Sequence, residues 1–227
     1  MIPLKDTVPL RRFPWVNTLL IIINIGVFIY ELTLGSHINK FLSQYALVPA
    51  TYFSTAAFSF PRLFPLISSM FMHAGWLHIG GNMLYLFIFG DNVEDAMGHF
   101  RYLAFYLLAG VLSAIAHIYT NIGSSIPSLG ASGAIAGVLG AYIVLYPKSR
   151  VATLIFLIFF FQIIEVPAIV FLGLWFLLQL VSGAAAITKP ASGSSVAYFA
   201  HIGGFVAGMI LVFFLKRTGI VDYLRYY

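Results

Sequence analysis

Cysteine is absent from the 227 residues, which excludes disulfides, thiolate nucleophiles and Cys-ligated metal sites. Charge is scarce too: Asp, Glu, Lys and Arg make up 8% of the chain and only 7 residues are acidic, against about 25% charged in ordinary globular domains. A water-facing surface cannot be built from so little charge. What fills the sequence is apolar, 61% hydrophobic against roughly 45 to 50% in soluble domains, so the chain reads as an integral membrane protein. At about 20 apolar residues per crossing, six crossings take roughly 120 residues and leave about 100 for loops. That predicts one compact polytopic domain over residues 1–227, with no room for a second soluble one. The 12 Lys and Arg sit beside apolar runs, where they act as membrane anchors and topology signals and not as a nucleic-acid site.

The expected architecture is an all-α membrane protein with six spans. Phe13 to Leu34 is the first, preceded by Lys5, Arg11 and Arg12. It is longer than the apolar region of a signal peptide and lacks an Ala-x-Ala site, so it is expected to be retained. Residues 35–71 carry Pro49, Pro61 and Pro65 among many aromatics and are expected to lie in the outer interface. Span two is about 76–90, followed by an acidic hinge at Asp91, Glu94 and Asp95; span three is about 100–119. Thr120 to Ser128 punctuates the chain, and span four covers 130–146. Val151 to Ile187 is too long an apolar run for one crossing and is interrupted by Glu165 and Pro167. It is divided into a hydrophobic interfacial connection, 151–164, and span five, 166–186. A Gly, Ser and Ala loop from Gly183 to Ser195 is expected to be flexible, and span six, 196–215, is closed by Lys216 and Arg217.

With the N-terminus inside, the inner segments hold Lys5, Arg11, Arg12, Arg101, Lys148, Arg150, Lys216, Arg217 and Arg225, and the outer ones only Lys40, Arg62 and Lys189. The positive-inside rule therefore predicts both termini cytoplasmic.

Polar residues within spans are costly in hydrocarbon and are functional candidates by default. His78 and Asn82 lie four apart on span two, Ser132 begins span four, and His201 begins span six. In this topology all three spans run from outside to inside, and the four residues fall within about 10 Å of depth at 1.5 Å per residue. A serine hydroxyl becomes a nucleophile when a neighbouring base takes its proton, so Ser132 and His201 have the requirements for covalent hydrolysis. The developing oxyanion needs preorganised donors; His78, the Asn82 amide and the Ser132 backbone N–H could supply them. Gly133, Gly137 and Gly140 on span four, with Gly204 and Gly208 on span six, would let those helices approach closely.

These segments, HAGWLHIGGN at 73–82, GASG at 130–133 and AHIGG at 200–204, resemble in order and spacing the motifs of the rhomboid family of intramembrane serine proteases. The resemblance covers nearly the whole chain, including Glu94 and Gly98. It implies Ser132 as nucleophile, His201 as general base, and His78 and Asn82 as oxyanion stabilisers. It also implies single-span or polytopic membrane proteins as substrates, hydrolysis without a metal or cofactor, and a gate formed by span five and the loop before span six. A prokaryotic plasma membrane is the expected location, and the oligomeric state is left open. Two positions depart from the family pattern. Ala136 stands where some members have an aromatic that packs on the base, and Phe60-Pro61-Arg62 stands near the place of a Trp-Arg pair.

Other readings compete. Ser132 among Gly and Ala could serve helix packing alone. His73 is expected to be a structural hydrogen-bond donor, and His37, His99 and His117 to be interfacial. An inactive client-binding relative would be expected to lose Ser132 or His201. A transporter would need a polar trail to the inner side, and a haem protein would use His pairs as axial ligands.

Overall fold

The computed structural model describes residues 1–53, 59–157, 160–188 and 196–217. Strand β1 (Ile2–Asp6) precedes helix α1 (Trp15–Thr33). The long connection that follows holds α2 (Ile38–Tyr45), α3 (Phe60–Leu63) and α4 (Pro65–Ser68) with short 3₁₀ turns between them. Then come α5 (Trp76–Met97), α6 (His99–Thr120), α7 (Ser132–Leu145), strands β2 (Arg150–Leu157) and β3 (Phe160–Pro167), and helices α8 (Ala168–Thr188) and α9 (Tyr198–Leu215). By length and composition α1, α6, α8 and α9 can each cross a membrane, and α7 is a shorter apolar helix. Their outward side chains are apolar, among them Ile22, Leu108, Leu178 and Phe214. The chain is an integral membrane protein built mainly of helices.

Helix α7 occupies the centre, with every residue from Gly133 to Tyr142 buried. A helix apolar on all sides has no polar face to present and belongs inside a bundle. Between helices in lipid, association depends on packing and hydrogen bonds more than on the hydrophobic effect. Here α7 and α9 meet backbone to backbone: a methyl carbon built on Gly204 would lie 2.0 Å from the Gly133 carbonyl oxygen, and one on Gly208 1.9 Å from that of Gly137. The Ser113 hydroxyl on α6 donates to the Ala200 carbonyl at 2.8 Å, tying a third helix to the start of α9.

The opposite end of the bundle is pinned by acidic side chains. Glu94 accepts from the backbone N–H groups of Val16 and Asn17, at 3.0 and 2.6 Å. A carboxylate on the first turn of a helix satisfies unpaired donors and is worth up to about 2 kcal/mol when partly buried. Asp95 pairs with Arg11 at 3.0 Å. These acids occupy the last turns of α5, so the expected acidic hinge is helical and the turn itself falls at Gly98.

The all-α expectation is corrected at residues 151–164. In the expected hydrophobic interfacial connection, β2 and β3 pair antiparallel, and β1 adds to β2 in the order β1-β2-β3. Ile2 faces Leu154, Asp6 faces Val151, and Arg150 faces Pro167. The cause is composition: this stretch is dominated by β-branched and aromatic residues, which fit a pleated strand better than a helix. Asp6, at the end of β1, accepts from Asn92 Nδ2 at 2.8 Å and from the Tyr142 hydroxyl at 2.5 Å, which locks the sheet to α5 and α7.

The 35–71 connection docks through backbone pairing. Leu47 and Ser128 exchange hydrogen bonds at 2.9 and 2.7 Å, Ala50 N–H donates to Ser124, and Gly130 N–H donates to Ser69 at 2.8 Å. Arg62 donates to the Thr51 carbonyl. Within the expected flexible loop 183–195, α8 extends to Thr188; residues 189–195 lie outside the described set, as do 54–58 of the first loop.

Candidate active site

Ser132 is the first residue of α7, where N–H groups have no partner inside the helix. His201 lies in the first turn of α9. The close α7–α9 approach brings the two side chains together: His201 Nε2 is 2.8 Å from Ser132 Oγ. The other ring nitrogen, Nδ1, is 2.8 Å from Gln179 Oε1 on α8. An amide oxygen only accepts, so Nδ1 carries the proton, and in the neutral ring Nε2 is left to accept from the serine hydroxyl. The Trp175 ring, one turn before Gln179, lies 5.9 Å from the imidazole at 33°. Neither Trp175 nor Gln179 is among the residues expected from sequence. The signal for Gln179 was present, since it is a lone amide inside an apolar span, to which the default for intramembrane polar residues applies equally.

Both side chains open onto a cavity of about 730 Å³ whose lining includes His78, Asn82, Tyr85, Ser132, Trp175 and His201. All four sequence-derived candidates therefore share one pocket. His78 reaches it beside Gly130, where a methyl carbon would lie 2.7 Å from His78 Nε2 and 3.6 Å from Ser132 Oγ. Gly130 also has φ +132°, a conformation side chains rarely adopt. Asn82 is buried, and its amide nitrogen lies 2.9 Å from His73 Nε2; the amide donates, so His73 Nε2 accepts in this bond. Asn82 keeps a second amide hydrogen.

His73 is held in turn by Glu31, which accepts its backbone N–H at 3.1 Å, and burial lowers the His73 pKa to about 4. Glu31 is buried against this loop, and among the described residues no carboxylate bonds the His201 ring. Two of the histidines expected to be interfacial make specific contacts: His99 pairs with Glu94 at 2.5 Å, and His117 is buried beside Asn121 at 3.2 Å.

A serine hydroxyl bonded to an imidazole whose far nitrogen is anchored, in a cavity lined by further donors, is an arrangement suited to acyl transfer. The Rhomboid domain matches residues 61–218. The chain belongs to the rhomboid family. Rhomboids are generally intramembrane serine proteases. Among its relatives, rhomboid protein 1, mitochondrial, of Saccharomyces cerevisiae is 26% identical over 211 residues, covering 89% of this chain and 54% of that protein. Rhomboid-like protein 11, chloroplastic, of Arabidopsis thaliana is 29% identical over 167 residues, covering 70% of this chain and 55% of that protein. The human presenilin-associated rhomboid-like protein, mitochondrial, is 34% identical over 112 residues, covering 48% of this chain and 30% of that protein. The chain thus spans about half the length, or less, of the curated relatives it matches. Those names place the relatives in mitochondria and chloroplasts.

Proposed function

We propose that this rhomboid is an active serine endopeptidase that hydrolyses peptide bonds in or near transmembrane segments of other membrane proteins. The observation that carries the reading is the 2.8 Å contact between Ser132 Oγ and His201 Nε2, made by two different helices. His201 takes the Ser132 proton as the oxygen attacks the scissile carbonyl, then gives it to the leaving amine; water hydrolyses the acyl-enzyme by the same exchange. The oxyanion is stabilised by His78, by the free amide hydrogen of Asn82 and by the Ser132 backbone N–H.

In this reading residues 1–227 form one domain of six spans with both termini cytoplasmic, supported by the excess of Lys and Arg on the inner segments. The three-stranded sheet and the Glu94 and Asp95 contacts then lie on the inner side, and the Ser132 cavity opens toward the outer leaflet. Substrates are single-span or polytopic membrane proteins that reach the cavity from the bilayer.

Purified protein is tested against a panel of single-span substrates and a serine-directed fluorophosphonate, beside Ser132→Ala and His201→Ala. Cleavage and labelling by the parent chain, lost in both variants, are expected. A folded parent chain that neither cleaves nor labels, or a Ser132→Ala form that still cleaves, overturns the reading.

A further inference from the structure

We infer that Gln179 is the residue that positions His201, so that the reactivity of Ser132 depends on the seating of α8. This rests on the proposed hydrolytic role of Ser132 and His201. An imidazole with a serine on one nitrogen needs its other nitrogen fixed; otherwise the proton can sit on Nε2, and the ring cannot act as base. Soluble serine hydrolases use a buried carboxylate for this, and losing the correct tautomer costs them about 10⁴-fold in kcat. Here no carboxylate among the described residues touches the ring, and Ala136, buried on α7, offers no aromatic surface to it. Both supports come from α8 instead: Gln179 Oε1 at 2.8 Å from Nδ1, and Trp175 against the ring, four residues apart on one helix face.

The placement ties the orientation of the ring to a lightly buried helix. α8 is the least buried of the four long apolar helices, with 22% of its apolar window inside the protein against 39% for α6. Its contacts with α9 include rings, Phe176 on Phe205 at 4.4 Å and Trp175 on Phe205 at 6.1 Å. Displacing α8 by more than about 1 Å at Gln179 takes the amide out of hydrogen-bond range. Any displacement of α8 from α9 therefore leaves His201 free to take the unproductive tautomer.

The test compares Gln179→Leu, which keeps bulk and removes the acceptor, with Gln179→Glu, which retains an acceptor, in the full chain in detergent. Three readouts are used: the rate of fluorophosphonate labelling of Ser132, kcat and KM on a single-span substrate, and the imidazole ¹⁵N shifts of histidine-labelled protein, with His201 assigned from His201→Ala. Gln179→Leu is expected to lower labelling rate and kcat by about 10- to 100-fold, the range seen when the hydrogen-bond partner of a metal-bound histidine is removed and less than the loss of a buried carboxylate. KM is expected to be unchanged, and the His201 resonances to move away from the Nδ1-protonated pattern. Gln179→Glu is expected to retain most of the rate. Should the parent chain cleave in a Ser132-dependent way while Gln179→Leu labels and turns over at the parent rate, the positioning role is wrong and the hydrolytic reading stands. Equal loss in both variants with unmoved ¹⁵N shifts also overturns it, because the acceptor is then irrelevant. A parent chain inert to both phosphonate and substrate defeats the hydrolytic reading instead.

Discussion

Replacing Gly204 by Ala is expected to separate the dyad while leaving both of its side chains intact. The added carbon would lie 2.0 Å from the Gly133 carbonyl oxygen, where ordinary contact begins at 3.4 Å, so the helices must part locally by about 1.4 Å. The obstacle is backbone, so no rotamer change relieves it. Gly204 is one turn past His201, and Gly133 follows Ser132, so the displacement falls at the dyad itself. Added to the 2.8 Å between His201 Nε2 and Ser132 Oγ, it gives about 4 Å, beyond hydrogen-bond range. Loss of general-base catalysis costs about 10² to 10⁴ in kcat, while overpacking costs about 1 to 3 kcal/mol of stability. The assay is turnover of a single-span substrate beside thermal unfolding in detergent. Gly208→Ala meets the same obstacle at 1.9 Å from Gly137 but one turn farther from the dyad, so a similar stability loss with a smaller rate loss is expected. Gly26→Ala, with nothing within 4 Å of the new carbon, serves as the neutral control. A folded Gly204→Ala protein that cleaves at the parent rate would refute the claim that the α7–α9 approach sets the dyad distance.

Three further outcomes are expected. His78→Ala and Asn82→Ala lower kcat more than they raise KM, by up to about 2.7 to 4 kcal/mol for a strong oxyanion donor; full kcat in both single variants and in the double would make these residues structural. Gly130→Ala pushes against His78 Nε2 at 2.7 Å and strains the backbone at φ +132°, so it is expected to lower both activity and melting temperature, and an unaltered protein would contradict that geometry. Burial raises the Asp6 pKa from 3.8 to about 6, so the folded state holds this proton more tightly than the unfolded chain and gains stability as pH falls from about 7 through 6 toward 4. Asp6→Asn removes that gain, and a difference in melting temperature between the two proteins that stays constant from about pH 7 to pH 4 would show the linkage to be absent.

The contact between Ser132 and His201 was legible in the sequence because each partner sits at the start of an apolar segment, so spacing pointed to a shared depth, and small residues marked the helices that could meet. The sheet was not. A run such as Val151 to Val166 is mostly apolar, broken only by Thr153, Gln162 and Glu165, and periodicity does not separate a buried strand from a helix in such a run. The pairing of Ile2 with Leu154 joins residues at opposite ends of the sequence, with no local trace. Asn82 and His78 line the cavity beside Ser132, but the bond from Asn82 to His73 depends on how the loop after α4 folds back over α1.

Gln179 shows where such reasoning stops and what the fold adds. A single polar residue in an apolar span announces that it needs a partner, yet which partner depends on the rotation of α8 against α9, and ring packing sets that rotation. The two halves of the dyad are consequently held by different physics. Ser132 is fixed by backbone: the start of α7, the Gly130 turn and helix contacts that tolerate no added carbon. His201 is oriented by two side chains on the least buried long helix. Damage to the α7–α9 seam therefore has to appear in stability and rate together, whereas damage to the Trp175 and Gln179 face of α8 has to appear in rate with little loss of stability. A series of α8 variants whose melting temperatures fall in step with their turnover would contradict this division, because it would mean that α8 is part of the seam and cannot move independently of it.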